Sequence, residues 1–173
     1  MQSRGLRVGS LCTGYGGLDH GVMAYYPGSE LVWTSEIDPA CAKILATHYP
    51  DVPNHGDLTT ADFAAAEEID LLCAGFPCQP FSTAGQRRGE NDERAIFEYI
   101  AERCIGVVRP RYILLENVPG ILTLGGPGVL GLLASYGYDC RWTTVQASDV
   151  GAPHKRRRFF LLACHTDSVA GEL

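Results

Sequence analysis

The sequence lacks any run of about 18 consecutive apolar residues, the length that a membrane-spanning helix needs, and no signal-like apolar segment follows Met1. We therefore expect no membrane partner and, by default, a cytoplasmic protein. The sequence also lacks a Cys-x-x-Cys pair and a local histidine cluster, although it holds seven cysteines. These absences argue against a zinc site and a disulfide framework, so no metal is expected.

The composition is that of a folded domain with an uneven charge. With 173 residues, 46% hydrophobic and 20% charged, the chain can bury one substantial core, and we expect residues 1–173 to form a single domain. The formal net charge is -6. Residues 1–86 hold 3 basic and 10 acidic side chains, whereas residues 87–173 hold 11 and 10. A polyanionic partner would therefore meet the second part of the chain.

Strand-like apolar runs alternate with helix-like segments, which is typical of an α/β fold with a mostly parallel sheet. About seven strands are predicted, at 6–11, 30–34, 54–56, 69–74, 112–115, 138–147 and 158–164. Helices are predicted from the first glycine turn to about 26, from 38 to 50, from about 92 to 108, and at 127–136. The sequence thus predicts a Rossmann-like sheet flanked by helices.

The first glycine turn, Gly14-Tyr15-Gly16-Gly17, lies between a strand and a helix, where backbone can approach a ligand closely. It fits neither Gly-x-Gly-x-x-Gly nor a phosphate loop, and alone it is equally typical of a plain tight turn. Glu36 and Asp57 follow the next two predicted strands, where carboxylates can bind a ribose hydroxyl or an adenine amine. The pattern favours S-adenosylmethionine over NAD, because it suits a nucleoside without a diphosphate.

Three further features carry chemistry. Cys78 lies between two prolines just after a buried strand, which is a suitable place for a nucleophile rather than for a structural cysteine. Glu116 ends the next strand, where a carboxyl group can either face the same crevice or be a solvated strand-end charge. The basic run 155–158 enters the last strand. Alternation would send Arg156 and Arg158 to one face of it, although such runs are usually solvated.

Together these features resemble the DNA (cytosine-5) methyltransferases, in their order and approximate spacing, from about residue 7 to residue 164. The elements that carry the resemblance are 13–17, Glu36, 56–59, the Gly-Phe-Pro-Cys-Gln-Pro-Phe-Ser run at 75–82, the Glu-Asn-Val run at 116–118, and 146–158. The Pro-Cys-Gln and Glu-Asn-Val runs are highly specific in combination. The resemblance implies an S-adenosylmethionine-dependent methyltransferase fold and activity.

In this family a thiolate adds to C6 of cytosine, the ring then takes a methyl group at C5, and loss of the C5 proton releases the thiol. The resemblance gives the thiolate to Cys78, stabilisation of the ring at N3 to Glu116, and contacts with the cytosine O2 and a phosphate to Arg158 and Arg156. Asn117 would position the loop that carries the cysteine. The remaining implied substrate-binding residues are Gln79 and Ser82. The base would be flipped out of double-stranded DNA to reach this site.

The resemblance also implies a cofactor site. Gly14, Tyr15 and Gly17, with Thr13 beside them, would line the methionine and the adenosine of S-adenosylmethionine. Glu36 would hold the ribose hydroxyls and Asp57 the adenine amino group. The implied walls of the pocket are Ile37, Leu58, Pro77 and Phe97. Cys12 departs from the family, which usually has an aromatic residue there against the adenine.

The resemblance stops where family members continue into a target-recognition domain and a closing helix. We therefore expect no target-recognition domain in residues 1–173, and little sequence preference for DNA, chromosomal or phage, from this chain alone. A subunit of a split enzyme with a second chain, a truncated product and an excised domain all remain open. So do a tRNA cytosine-5 methyltransferase and a non-catalytic remnant. A nicotinamide-dependent enzyme would leave Cys78 and Glu116 unexplained.

Overall fold

The computed structural model describes residues 4–76, 97–124 and 126–168. Within them the strands are β1 (Arg7–Leu11), β2 (Glu30–Ser35), β3 (Leu71–Ala74), β4 (Tyr112–Asn117), β5 (Tyr138–Gln146) and β6 (Arg157–His165). They form one sheet in the order β2-β1-β3-β4-β6-β5. The first four are parallel neighbours, while β6 runs antiparallel to both β4 and β5. The predicted α/β class is confirmed.

The helices connect these strands. They are α1 (Gly17–Tyr25), α2 (Pro39–His48), α3 (97–108), α4 (Ile121–Leu124) and α5 (Gly126–Ser135). Within α3 the segment Ile100–Ile105 is a π-helix. Asp38 caps α2 as predicted, because its carboxylate accepts hydrogen bonds from the N–H groups of Ala40 and Cys41, both at 2.9 Å. The expected start of α3 near residue 92 lies outside the described residues.

One strand prediction was wrong. Residues 54–56 form no strand, and Asn54 makes only an isolated bridge with Thr34 of β2. The reason is local: the Asn54 side chain accepts from the N–H of Gly56, and Gly56 has a φ of 69° that a strand cannot accommodate. The described sheet therefore has six strands where about seven were expected.

The core lies mainly on one face of the sheet. In β4 the buried residues Ile113, Leu115 and Asn117 alternate with partly exposed ones, and β6 shows a similar alternation up to Leu162. A sheet of parallel strands normally buries both faces. The other face of β4 and β6 is thus only partly covered within the described residues.

None of the described helices is long and apolar enough to cross a bilayer.

Gly9 lies where the register between β1 and β2 shifts, directly beneath the indole of Trp33. A Cβ at Gly9 would come within 2.4 Å of the Trp33 ring, and Trp33 is fully buried. The indole cannot retreat without disturbing Phe63, whose ring centroid is 5.6 Å away. Glycine at position 9 is therefore required by packing.

We predict that Gly9→Ala lowers the free energy of unfolding by about 1–3 kcal/mol, because the added methyl group overpacks the core. Gly131→Ala is the matched control, since Gly131 is exposed within α5 and a Cβ there meets nothing within 4 Å. That control should stabilise the protein by about 0.5–1 kcal/mol. Urea unfolding measures both changes, and equal stability of the two variants would contradict this packing.

Candidate functional site

The site lies at the carboxyl ends of the parallel strands, next to β1. The strand order reverses there, because β2 lies on one side of β1 and β3 lies on the other. Ligands bind at such reversals of strand order in open α/β sheets. Two cavities open there, of about 430 Å³ and about 170 Å³. Cys12, directly after β1, lines both of them.

The smaller cavity is built around the carboxylate of Glu36. Its two oxygens accept hydrogen bonds from the N–H groups of Gly14 and Asp38, each at 2.7 Å. Carboxylate oxygens each accept more than one hydrogen bond, so capacity for a ligand hydroxyl remains. Asp57, Ile37 and Leu58 also line this cavity. The structure thus brings together four of the predicted cofactor residues at its walls.

Asn54 is a site residue that the sequence analysis did not identify. Its side-chain oxygen accepts from the N–H of Glu36 at 3.0 Å, and its side-chain N–H donates to the Glu36 carbonyl at 3.0 Å. Asn54 therefore fixes the backbone that carries the carboxylate. The only signal in the sequence was an asparagine near the predicted third strand, which is too common to single out.

Cys12 adopts a left-handed conformation, with a φ of 50°, that few residues other than glycine take. Its N–H donates to the carbonyl of Ser35 at 2.9 Å. Burial, together with the nearby charges of Glu36 and Asp57, raises the pKa of the Cys12 thiol to about 12. The side chain is therefore a neutral wall between the two cavities.

The larger cavity follows the glycine turn. Thr13, Gly14 and Gly17 line it, and a Cβ at Gly14 or Gly17 would meet nothing within 4 Å, so the space above the turn is open. Tyr15 is exposed and lines neither cavity. Phe97 packs in the core with its ring 5.5 Å from that of Phe76, and it too lies away from both cavities.

At the far end of the larger cavity, Glu116 and Arg158 form an ion pair. The Nε of Arg158 lies 2.7 Å from Oε1 of Glu116, and both side chains are about three-quarters buried. Arg156 and Gly75 line the cavity beside Glu116. The antiparallel pairing explains this meeting, because residues 116 and 117 at the end of β4 pair with Phe160 and Phe159 near the start of β6.

Within this pair, some hydrogen-bonding capacity is unused. Arg158 gives its Nε to Glu116 and its Nη1 to the carbonyl of Arg157, at 2.9 Å. Among the described residues, the Nη2 of Arg158 and the Oε2 of Glu116 have no hydrogen-bond partner. A donor and an acceptor are thus held a few ångströms apart by the ion pair. Such a pair can bind a flat polar ring on one edge.

Asn117 ties the end of β3 to the end of β4. Its side-chain N–H donates to the carbonyl of Phe76 at 3.2 Å, and its oxygen accepts from the N–H of Val118 at 2.7 Å. Asn117 is 3% exposed. Phe76 is the last described residue before the Pro-Cys-Gln run, and Pro77, Cys78, Gln79 and Ser82 lie outside the described residues.

The other cysteines are poor nucleophiles. The six described ones, Cys12, Cys41, Cys73, Cys104, Cys140 and Cys164, are all free thiols. Burial is the largest cause that raises the pKa of each, to about 11 for Cys140 and to about 12 for Cys12. Thiols with such pKa values stay protonated near neutral pH.

Among the described residues, no group of three or more His, Cys, Asp and Glu side chains is placed to hold a metal ion.

The sheet order and the cavities at its carboxyl edge define an S-adenosylmethionine-dependent methyltransferase fold. The sequence profile of C-5 cytosine-specific DNA methylases matches residues 6–171. The chain therefore belongs to the C-5 cytosine-specific DNA methylase family, whose members take their methyl group from S-adenosylmethionine. The resemblance inferred from the sequence is confirmed.

Individual relatives agree with this. The chain is 36% identical over 141 residues to the type II methyltransferase M.NlaIV of Neisseria lactamica, covering 75% of this chain and 33% of that protein. It is 34% identical over 172 residues to M.BsuFI of Bacillus subtilis, covering 96% and 41%. The solved S. pombe Dnmt2 methyltransferase superposes with a TM-score of 0.77 at 27% identity, covering 97% of this chain and 53% of that one. The chain thus spans less than half of these two curated relatives.

We predict that Asn117→Asp destabilises the protein by about 1–3 kcal/mol at neutral pH, because it replaces the donor to the Phe76 carbonyl with a buried carboxylate oxygen. The variant keeps the acceptor for the N–H of Val118, so the loss isolates the link between β3 and β4. Chemical unfolding checks the prediction, and Asn54→Asp, which removes a corresponding donor to the Glu36 carbonyl at an exposed position, should destabilise the protein less than Asn117→Asp. An unchanged free energy of unfolding for Asn117→Asp would contradict the role of this hydrogen bond.

Proposed function

We propose that this chain is the catalytic and cofactor-binding part of a DNA (cytosine-5) methyltransferase. It would transfer a methyl group from S-adenosylmethionine to C5 of a flipped cytosine in double-stranded DNA. The observation that carries the proposal is the Glu116–Arg158 ion pair, held at one end of a cavity whose other end is the glycine turn. Family membership supports it.

The cavity residues fit S-adenosylmethionine, which would supply an electrophilic methyl group. The nucleoside would occupy the smaller cavity, with Glu36 on the ribose hydroxyls and Asp57 on the adenine amine. Cys12 would contact the nucleoside as a small neutral surface in place of an aromatic ring. The open space over Gly14 and Gly17 would take the methionine part, with Thr13 and Tyr15 at its margin. Pro77 would close the site from the loop that carries Cys78.

At the other end, the unused groups of the ion pair match the edge of cytosine. The Nη2 of Arg158 would donate to O2 of the base, and Glu116 would stabilise the ring at N3. Arg156 would contact the adjacent phosphate. Each contact stabilises electron density that builds up in the ring during the reaction. Asn117, through Phe76, would hold the start of the loop with Cys78, Gln79 and Ser82.

The proposed reaction passes through a covalent adduct between Cys78 and the base. The Cys78 thiolate adds to C6 of cytosine, and the electron pair released at C5 forms a bond to the methyl carbon while the carbon–sulfur bond of the donor breaks. A base then removes the proton at C5, and the electrons of that bond expel the Cys78 thiolate. The products are 5-methylcytosine, S-adenosylhomocysteine and a proton. A lowered thiol pKa at Cys78 would favour the first step.

A methyl-transfer assay tests this proposal. Cys78→Ala should abolish transfer of radiolabelled methyl groups to DNA, because no covalent bond to C6 can form. Glu116→Gln should slow transfer about 10²–10⁴-fold, the usual contribution of a positioned acid or base, while leaving cofactor binding nearly unchanged. Residual activity above a tenth of wild type in Cys78→Ala would overturn the proposal. Transfer to RNA but not to DNA would assign the chain to the tRNA alternative.

We also propose that a second chain completes the enzyme on the partly covered face of the sheet. A groove of about 720 Å³ lies there, lined mostly by apolar side chains such as Tyr25, Leu114 and Leu162, together with Arg4 and Arg111. Tyr25 is 78% exposed and Leu162 is 39% exposed. Apolar surface of this kind at the middle of a sheet is typical of an interface. The remaining length of the curated relatives supports a partner that also reads the DNA sequence.

We predict that Leu162→Glu abolishes association with that partner, because a charge would be buried in the contact. The assay co-expresses the tagged chain with the protein encoded immediately downstream and measures co-purification and DNA methylation. Ile44→Glu is the control, since Ile44 is 38% exposed and Leu162 is 39% exposed, but Ile44 lies on α2 outside the groove. Equal losses in both variants, or no association of the wild-type chain, would contradict the proposed interface.

A further inference from the structure

Asp19 is a buried carboxyl group that none of the matched motifs includes. It lies in the first turn of α1 and is 1% exposed. It nevertheless lines the larger cavity, together with Gly14 and Gly17. Its position is therefore next to the space that we assign to the methionine part of the cofactor.

The hydrogen bonding of Asp19 is incomplete. Oδ2 accepts from the hydroxyl of Ser10 at 3.0 Å. Oδ1 is buried and has no hydrogen-bond partner among the described residues, although the weak thiol donor of Cys73 and the N–H of Asp19 itself lie near the carboxyl group. The N-cap residue of α1 is Gly16, so a role as the N-cap of this helix does not explain Asp19.

The charge of Asp19 is also poorly balanced. Burial raises the pKa of the Asp19 carboxyl above its ordinary value, and the Ser10 hydroxyl, the Cys73 thiol, the charge of His20 and the N–H of Asp19 itself oppose this only in part. Among the described residues, no basic side chain lies within ion-pair distance of it. The other titratable neighbour is Tyr49, whose hydroxyl lies 3.3 Å from the His20 ring. A buried carboxylate of this kind is stable when a cation reaches it.

We propose that Asp19 binds the α-ammonium group of the methionine part of S-adenosylmethionine, an inference that rests on the proposed function. The cavity offers a complementary arrangement for both charges of an amino acid. The N–H groups at the start of α1 suit the carboxylate, and the free Oδ1 of Asp19 suits the ammonium. Ser10 is a positioning residue, because its hydroxyl fixes the carboxyl group from the other side.

The arrangement also sets the direction of the cofactor. With the nucleoside between Glu36 and Asp57, and the ammonium group on Asp19, the sulfur and its methyl group lie between these two anchors. That point is in the cavity whose far wall is Gly75 and Glu116. Two anchors of this kind would orient the methyl group toward the base site.

Calorimetry with S-adenosylhomocysteine and two truncated ligands tests the inference. One is its deamino analogue, in which hydrogen replaces the α-ammonium group, and the other is 5′-methylthioadenosine, which lacks the amino acid part. On the wild-type chain the deamino analogue should bind about 10- to 100-fold more weakly than S-adenosylhomocysteine. This comparison needs no variant and so does not depend on the folding of one.

Asp19→Asn should weaken the binding of S-adenosylhomocysteine by a similar factor and leave the binding of 5′-methylthioadenosine unchanged. The matched control is Glu36→Gln, which should weaken the binding of both ligands because Glu36 contacts the nucleoside that they share. Equal binding of S-adenosylhomocysteine and its deamino analogue, or an equal effect of Asp19→Asn on both ligands, would overturn the role of Asp19 alone. If the wild-type chain bound no S-adenosylhomocysteine at millimolar concentration, both this inference and the proposed cofactor site would fail.

Discussion

The antiparallel pairing of β6 with β4 is the constraint on which the site depends. It brings the beginning of β6 to the edge where the parallel strands end, so the basic run and the acidic strand end meet although about 40 residues separate them. The product is the ion pair of Glu116 and Arg158 at 2.7 Å. If β6 ran parallel to its neighbour, the arginines would lie at the opposite edge of the sheet, away from both cavities.

Much of this fold follows from local patterns in the sequence. The alternation of apolar runs and helical segments located the six described strands to within about two residues at most ends, and the Asp38-Pro39 pair fixed the start of α2. The strand expected at 54–56 was wrong because a polar side chain and a left-handed glycine overrode a weak signal. The direction of β6 could not be predicted, since a strand reads the same in both directions and long-range pairing decides between them.

In the candidate site, too, local patterns predicted some residues, while others depended on contacts that form only in the fold. Glu36, Asp57 and Glu116 were found because each follows an apolar run, which places it at the carboxyl edge of a sheet. Asn54 and Asp19 were not identified because their roles depend on their surroundings in the fold. Asn54 matters because it holds the backbone of Glu36, and Asp19 matters because one of its oxygens is buried without a hydrogen-bond partner. The partial coverage of one sheet face was likewise visible only once the strands were assembled. It accords with a chain that spans less than half of its curated relatives.

The central claim is that Cys78 attacks cytosine, and a covalent trap tests it most directly. The chain and S-adenosylmethionine are incubated with DNA that contains 5-fluorocytosine, alone and with the protein encoded immediately downstream, and run on a denaturing gel. Fluorine at C5 cannot leave as a proton does, so the adduct between Cys78 and C6 persists. The account predicts a shifted band that Cys78→Ser eliminates. A shift that survives Cys78→Ser, or no shift in either mixture, would contradict it.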